Sequence, residues 1–233
     1  MIKKSTLEHI ISQDLSELWN ILSPEEKRIV TDNFSIQHYK KNQIIYAESE
    51  KPEMLWCLLK GKVKMYKSGI GDRVQILRLY RPVQYFGYRA YFAKENYVSS
   101  AAAFEQSTLG CIPMHIVEDL IKSNNDLAMF FIHELSRNLG GSDTKIVNLT
   151  QKHIRGRLAE ALLLLIENYG LEDDEATLKI YMSREDLANL SNMTTSNAIR
   201  TLTAFVQEHL LLVDGRRIKI LNEPQLRKIS KFG

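Results

Sequence analysis

The 233-residue sequence predicts an α+β protein: a set of short antiparallel strands, then one long helix, then a small helical unit. Three observations predict it. From Ile36 to Phe104, stretches rich in β-forming residues are broken at short intervals by glycine and proline. Beyond Pro113 the apolar period lengthens from two to about 3.6 residues and holds without a break over 125–150. The last third carries two capped helical stretches separated by three residues. With 44% hydrophobic and 25% charged residues, such a chain can bury a core.

The elements follow in order. Ser23-Pro24-Glu25-Glu26 is a capping box, and Ile29, Val30 and Phe34 supply the inner face of the helix it opens. Strands are expected over 43–46, 54–59, 62–67, 73–80 and 97–104. The 62–67 stretch alternates charged and apolar side chains as a half-buried strand should, and Gly61, the turn over 69–72 and Pro82 punctuate the set. Cys57 and Cys111 sit among apolar neighbours and read as buried free thiols rather than a disulfide or metal framework. A short helix spans 115–123 and a long one 125–150.

In the long helix Ala128, Ile132, Leu135, Leu139, Ser142, Ile146 and Leu149 recur at spacings of four and three. A seam of this kind pairs with the same helix of a second copy. Gly140-Gly141 in its middle costs about 1 kcal/mol per glycine relative to alanine and marks a place to bend or break. After a helix over Ile154–Tyr169 comes an acidic loop at 170–177 with Glu172, Asp173, Asp174 and Glu175. The three parts are 1–124, 125–150 and 151–233.

Ser183 caps the first of the two short helices, with Asp186 three residues on. Ser191-Asn192-Met193 fits a tight turn, in which Asn192 tolerates the left-handed conformation. Thr194 caps the second helix, which runs to about Glu208 with Ile199, Leu202 and Phe205 facing inward. Two helices joined by so short a turn make a helix-turn-helix. In that motif the start of the second helix meets base edges in the major groove, so Thr195, Ser196, Asn197 and Arg200 are the candidate base contacts. Arg200 offers guanine a paired hydrogen bond, and Asn197 offers adenine one. Residues 211–220 read as a hairpin with an Asp214-Gly215 turn, a wing that brings Arg216, Arg217 and Lys219 to the sugar-phosphate backbone. Lys152, Arg155 and Arg184, with Ser183 and Thr194 at the helix starts, complete the candidate phosphate contacts.

The whole chain resembles the Crp/Fnr family of transcription regulators. The resemblance rests on Tyr39-Lys40-Lys41-Asn42-Gln43-Ile44-Ile45-Tyr46, on Leu58-Leu59-Lys60-Gly61-Lys62-Val63-Lys64-Met65-Tyr66 and on Gln75-Ile76-Leu77-Arg78-Leu79-Tyr80. Phe86-Gly87, the long helix, Gly156-Arg157-Leu158-Ala159 and the helix-turn-helix complete it. It implies a β-roll sensor (cupin-like, cyclic-nucleotide-binding-like), a dimerisation helix formed by Ala128, Ile132, Leu135, Leu139, Ile146 and Leu149, and a winged helix-turn-helix. The implied partners are a palindromic DNA operator, a second copy, RNA polymerase and a small-molecule effector. No membrane is implied.

The sensor departs from the family's nucleotide binders. Tyr88 stands where they carry a glutamate, and Val98-Ser99 where they carry Arg-Ser. A buried phosphate without a cation is costly, so cyclic AMP in the usual mode is not expected. By position Tyr88, Arg89, Ser99 and Ser100, with Ser142 and Asp143 of the long helix, make up the candidate effector pocket. Arg89 is its one cation, and pairing with a neighbouring acid is the competing reading of that residue. An unknown ligand and no ligand both stay open. On the recognition helix Ser196 takes the family's glutamate position, Ile199 its serine and Arg200 keeps its arginine, so operator preference does not transfer.

No cofactor is expected, because no cysteine precedes Cys57 to hold an iron–sulfur cluster; His38, His115 and His133 leave haem open. A cupin-like metal enzyme is the alternative, against which the histidines are too scattered for a metal set. An interaction module that has lost DNA binding is another. No apolar run reaches the ~18 residues of a membrane helix, and a cytoplasmic protein is expected. The net charge of +3 decides nothing about nucleic acid. Over 151–233, 12 basic residues meet 11 acidic ones, and the expected reason is cancellation between an acidic loop and a basic wing on separate surfaces.

Overall fold

The capping box at Ser23 forms as read. In a computed structural model describing residues 15–69, 71 and 73–232, the Ser23 hydroxyl accepts from Glu26 N at 3.3 Å and the Glu26 carboxylate accepts from Ser23 N at 2.7 Å. Helix α1 (Ser16–Asn20) precedes the box and α2 (Pro24–Asn33) follows it. Val30 and Phe34 are buried, but Ile29 is exposed, because its position turns it off the face those two share. The chain divides into one unit of Met1–Lys67 with Arg78–Gly140 and another of Ser68–Leu77 with Gly141–Gly233. Ile70 and Asp72 of the 69–72 turn lie outside the described residues.

The strands are β1 (Ser35–Tyr39), β2 (Ile44–Tyr46), β3 (Met54–Lys60), β4 (Val63–Ser68), β5 (Val74–Tyr80), β6 (Tyr85–Phe86), β7 (Ser100–Ala103) and β8 (Ser107–Pro113). They form two four-stranded sheets, ordered β1-β8-β3-β6 and β2-β7-β4-β5. Three buried alanines, Ala101 to Ala103, line β7. Their small side chains leave room for aromatic rings: Tyr46 stacks on Tyr97 with centroids 3.8 Å apart, and Tyr80 on Phe86 at 4.7 Å. The strand expected over 97–104 is only 100–103 long. Tyr97 turns into the core instead, its N–H donating to Glu50 O and its carbonyl accepting from Ser49 N. Cys57 and Cys111 are buried thiols outside any disulfide.

Gly87 ends β6 and starts α3 (Tyr88–Phe92) with φ of 95°. A Cβ there would lie 2.8 Å from Met54 O and from Trp56 Cδ1, so both backbone angle and space demand glycine. Then α4 (Met114–Ser123) leads to α5 (Asn125–Gln151), which runs unbroken through Gly140-Gly141.

The second unit holds α6 (Ile154–Tyr169), α7 (Arg184–Leu190), α8 (Thr195–Gln207), β9 (Leu211–Asp214), β10 (Arg217–Ile220) and α9 (Glu223–Phe232). Leu158, Leu162, Leu165, Leu187, Ala198, Leu202, Phe205 and Leu226 form its core. The hairpin loop is Gly215-Arg216, one residue on from the expected Asp-Gly turn: Asp214 pairs across the ladder with Arg217, and Gly215 supplies the positive φ of 54°. Among the described residues no helix is long and apolar enough to cross a membrane.

Candidate nucleic-acid interface

Caps set the geometry of the helix pair. Ser183 Oγ accepts from Asp186 N at 3.0 Å and donates to Asp186 Oδ2 at 2.7 Å, which fixes the start of α7. Asn192 takes φ of 50° and turns the chain in three residues, and Thr194 Oγ1 accepts from Asn197 N to start α8. Ala198, Thr201, Leu202 and Phe205 anchor α8 in the core. The opposite face carries Thr195, Ser196, Ile199, Arg200 and Thr203, all exposed.

Two of these placements differ from the sequence reading. Ile199 points outward and is 46% exposed, because Ala198 and Leu202 fill the core positions on either side of it. Asn197 is half-buried, and its amide oxygen accepts from Arg200 Nη2, so the two candidate base readers arrive as a pair. Nothing in the helical period separates an outward isoleucine from an inward one at this offset; the burial of Ala198 does.

Two of the wing's three cations are already occupied. Arg217 Nη2 donates to Glu172 Oε2 at 2.6 Å and its guanidinium lies over the Tyr181 ring, while Lys219 pairs with Asp174 at 3.2 Å. The acidic loop therefore folds against the wing, not on a separate surface. The cause is main-chain pairing: Leu178 N donates to Ile218 O and Ile220 N to Ala176 O, adding the end of the loop to the hairpin. Hydrogen bonds from Tyr181 and from Arg217 hold the Glu172 carboxyl below its usual range, and the amide and hydroxyl of Thr177 do the same to Asp174. Arg155 makes a two-pronged bond to Glu208 at 2.8 and 2.7 Å, and Lys152 sits 3.3 Å from Glu160. Arg184 and the exposed Arg216 have no ion-pair partner among the described residues.

The residues expected to form an effector pocket are placed otherwise. Tyr88 is 2% exposed, its ring 5.2 Å from Phe131 and its hydroxyl accepting from Asn138 Nδ2 at 3.0 Å. It is a core residue rather than the wall of an open pocket, and burial pushes its phenol well up. The Arg78 guanidinium holds the same asparagine, donating to its side-chain oxygen and, at 3.0 Å, to its carbonyl. Arg89 is 51% exposed and paired with Glu95 at 2.6 Å, the competing reading of that residue. Ser99 is buried, and Ser100 Oγ accepts from Glu48 N. Ser142 and Asp143 belong to the other unit.

Along α5 the seam residues Ile132, Leu139 and Ile146 lie seven residues apart and are exposed, Leu139 by 64%. Ala128, Leu135, Ser142 and Leu149 are half-buried. Gly140 and Gly141 fall between the seam positions Leu139 and Ser142, and a Cβ at either would meet nothing within 4 Å.

Two family models match the chain, a cyclic nucleotide-binding domain over 36–124 and a Crp-like helix-turn-helix domain over 156–229. The cyclic AMP receptor protein of Thermus thermophilus is 24% identical, over 94% of this chain and 98% of that one. Among solved structures, FixK2 from Bradyrhizobium japonicum superposes with a TM-score of 0.77 at 21% identity, covering 84% of this chain and 97% of that chain. A CRP/FNR-family transcriptional regulator from Thermus thermophilus superposes with a TM-score of 0.69 at 21% identity, over 84% and 98%.

Proposed function

Because the chain belongs to the Crp/Fnr family of transcription regulators and carries that family's helix-turn-helix DNA-binding domain, we propose that it acts in the cytoplasm as a homodimer that reads a palindromic operator. The observation that carries this reading is the outer face of α8, where Thr195, Ser196 and Arg200 stand exposed on a helix whose start is capped and whose other face is locked in the core. Asn197 orients Arg200 toward guanine and shares in base contact. Ser183, Arg184, Thr194 and Arg216 meet phosphate directly. Lys152, Arg155, Arg217 and Lys219 do so by exchanging a carboxylate for a phosphate oxygen.

The exposed seam at Ile132, Leu139 and Ile146 supports the dimer, since apolar residues at seven-residue spacing lose their water only against a matching helix. Two copies then present two recognition helices to successive major grooves. The proposed organisation is sensor 1–124, dimer helix 125–150 and DNA-binding unit 151–233. An effector, where one acts, works by favouring one arrangement of the dimer helix. Cyclic AMP in the family's usual mode does not suit Tyr88 and Val98, and no cofactor is assigned.

A gel-shift series against the DNA upstream of the protein's own coding sequence, at rising salt, tests the reading. The expected result is a specific complex whose affinity falls steeply with salt. Absence of a salt-sensitive specific complex, with and without a small-molecule cell extract, would favour an interaction module instead. Native mass spectrometry of gently purified protein reports the dimer and any retained small molecule together.

A further inference from the structure

We propose that Ile199 reads the C5-methyl group of a thymine in the operator half-site, next to the base pair read by Arg200. This rests on the DNA-reading function proposed above and names a residue and a chemistry it leaves unassigned. Of the exposed residues on α8, namely Thr195, Ser196, Ile199, Arg200, Thr203 and Gln207, Ile199 alone is aliphatic. It is 46% exposed although the helix has core positions immediately beside it, at Ala198 and at Thr201 and Leu202. Its neighbours on the outer face are Ser196 one turn before and Thr203 one turn after, so it stands in the row that faces the groove rather than at its edge.

The major groove displays one apolar group, the thymine methyl, and an apolar side chain is what recognises it. The side chain suits the task in a second way. Isoleucine branches at Cβ and holds essentially one χ1 in a helix, so little freedom is lost when it is covered. Arg200, the adjacent residue, is steered by its bond to Asn197, leaving Ile199 with no polar group to serve. The pair therefore reads two features of neighbouring base pairs, one by hydrogen bonds and one by apolar contact. Asn192, Thr194 and the buried Ala198 hold the helix at the angle that keeps both outward.

The test starts from duplexes enriched by the full-length protein from a random-sequence pool, with a small-molecule cell extract present in one arm. Each thymine of one half-site is then replaced by uracil, which removes only the methyl. The expected result is a single position where uracil weakens wild-type binding about fourfold, the worth of one buried methyl-sized group. Ile199→Ala should bind the thymine duplex more weakly by a similar factor and be indifferent to uracil at that position. Arg200→Ala should keep the wild-type response to uracil. Because Ile199 is half-exposed, melting of Ile199→Ala should match the wild type. If enriched duplexes show no uracil effect at any position, or if Ile199→Ala retains the wild-type penalty, the assignment to Ile199 falls while DNA reading stands. If neither arm enriches a sequence, the function proposed above falls with it.

Discussion

Tyr88 and Arg200 both sit near the start of a helix, and both hydrogen-bond an asparagine on a neighbouring turn or helix. Their surroundings separate them. The Tyr88 ring is enclosed by Phe92 and Phe131, and its Asn138 partner is held in turn by Arg78. Arg200 is in water, tethered by Asn197 alone among the described residues. A buried hydroxyl held by a core asparagine stabilises a fold, whereas an exposed cation held by one replaceable contact can exchange it for another partner. Tyr88 has its polar group spent inside the first unit, and Arg200 keeps its guanidinium at the surface of the second.

The strongest way to break that contrast is Tyr88→Ala. An aromatic residue removed from a packed core costs about 3–5 kcal/mol in a urea melt, whereas a pocket-wall tyrosine would cost far less. Next comes Arg200→Ala, which should cost about 1–3 kcal/mol of preference at one base position per half-site while leaving melting unchanged. A general loss on all sequences would move Arg200 to the phosphates. Replacing Gly140 and Gly141 by alanine should stabilise α5 by about 1 kcal/mol at each position, because a Cβ there meets open space. Thermal denaturation followed by circular dichroism would register the gain, and a loss would show that something covers these positions.

Smaller effects probe the wing. Arg216→Ala should weaken all sequences alike and reduce the slope of log affinity against log salt by about 0.9. Glu172→Gln should strengthen DNA binding modestly by freeing Arg217, an exposed pair being worth at most about 1 kcal/mol. The smallest concerns Glu208, whose carboxyl Arg155 holds below its usual range. A depressed carboxylate stabilises above its unfolded pKa and ceases to as pH falls through the folded one. The melting-temperature difference between wild type and Glu208→Gln should therefore be full above about pH 5 and shrink toward pH 3, the unfolded group titrating near 4.3. A pH-independent difference would make the pair irrelevant to folding.

The elements with strong local signals were legible from residues alone. Ser23, Ser183 and Thr194 announced helix starts, Asn192 the turn, and the alternation at 62–67 a strand. What escaped depended on tertiary contact. The two-residue β6 and five-residue α3 are too short to show a period, and α9 is defined by its packing on α6. The region around Tyr97 read as strand because tyrosine and valine favour one, yet stacking on Tyr46 decided otherwise. Ile199 was placed inward by apolar type alone, although Ala198 occupies that space. The acidic loop was placed apart from the wing because sequence distance hides the ladder between Leu178 and Ile218.

That ladder gives the wing a tethered counterion. In the proposed complex, a duplex reaching Arg217 and Lys219 would meet cations already paired with Glu172 and Asp174, so each phosphate contact would be an exchange, not an addition. Added salt weakens the internal pair as well as the external one. The salt slope should then undercount the cations that touch DNA. The tethered carboxylates, held next to the cations by the fold, compete equally against every sequence. On the proposed DNA-binding reading they lower affinity for every sequence by the same factor, so the wing sets how tightly DNA is held and leaves the ratio of specific to random binding to the outer face of α8.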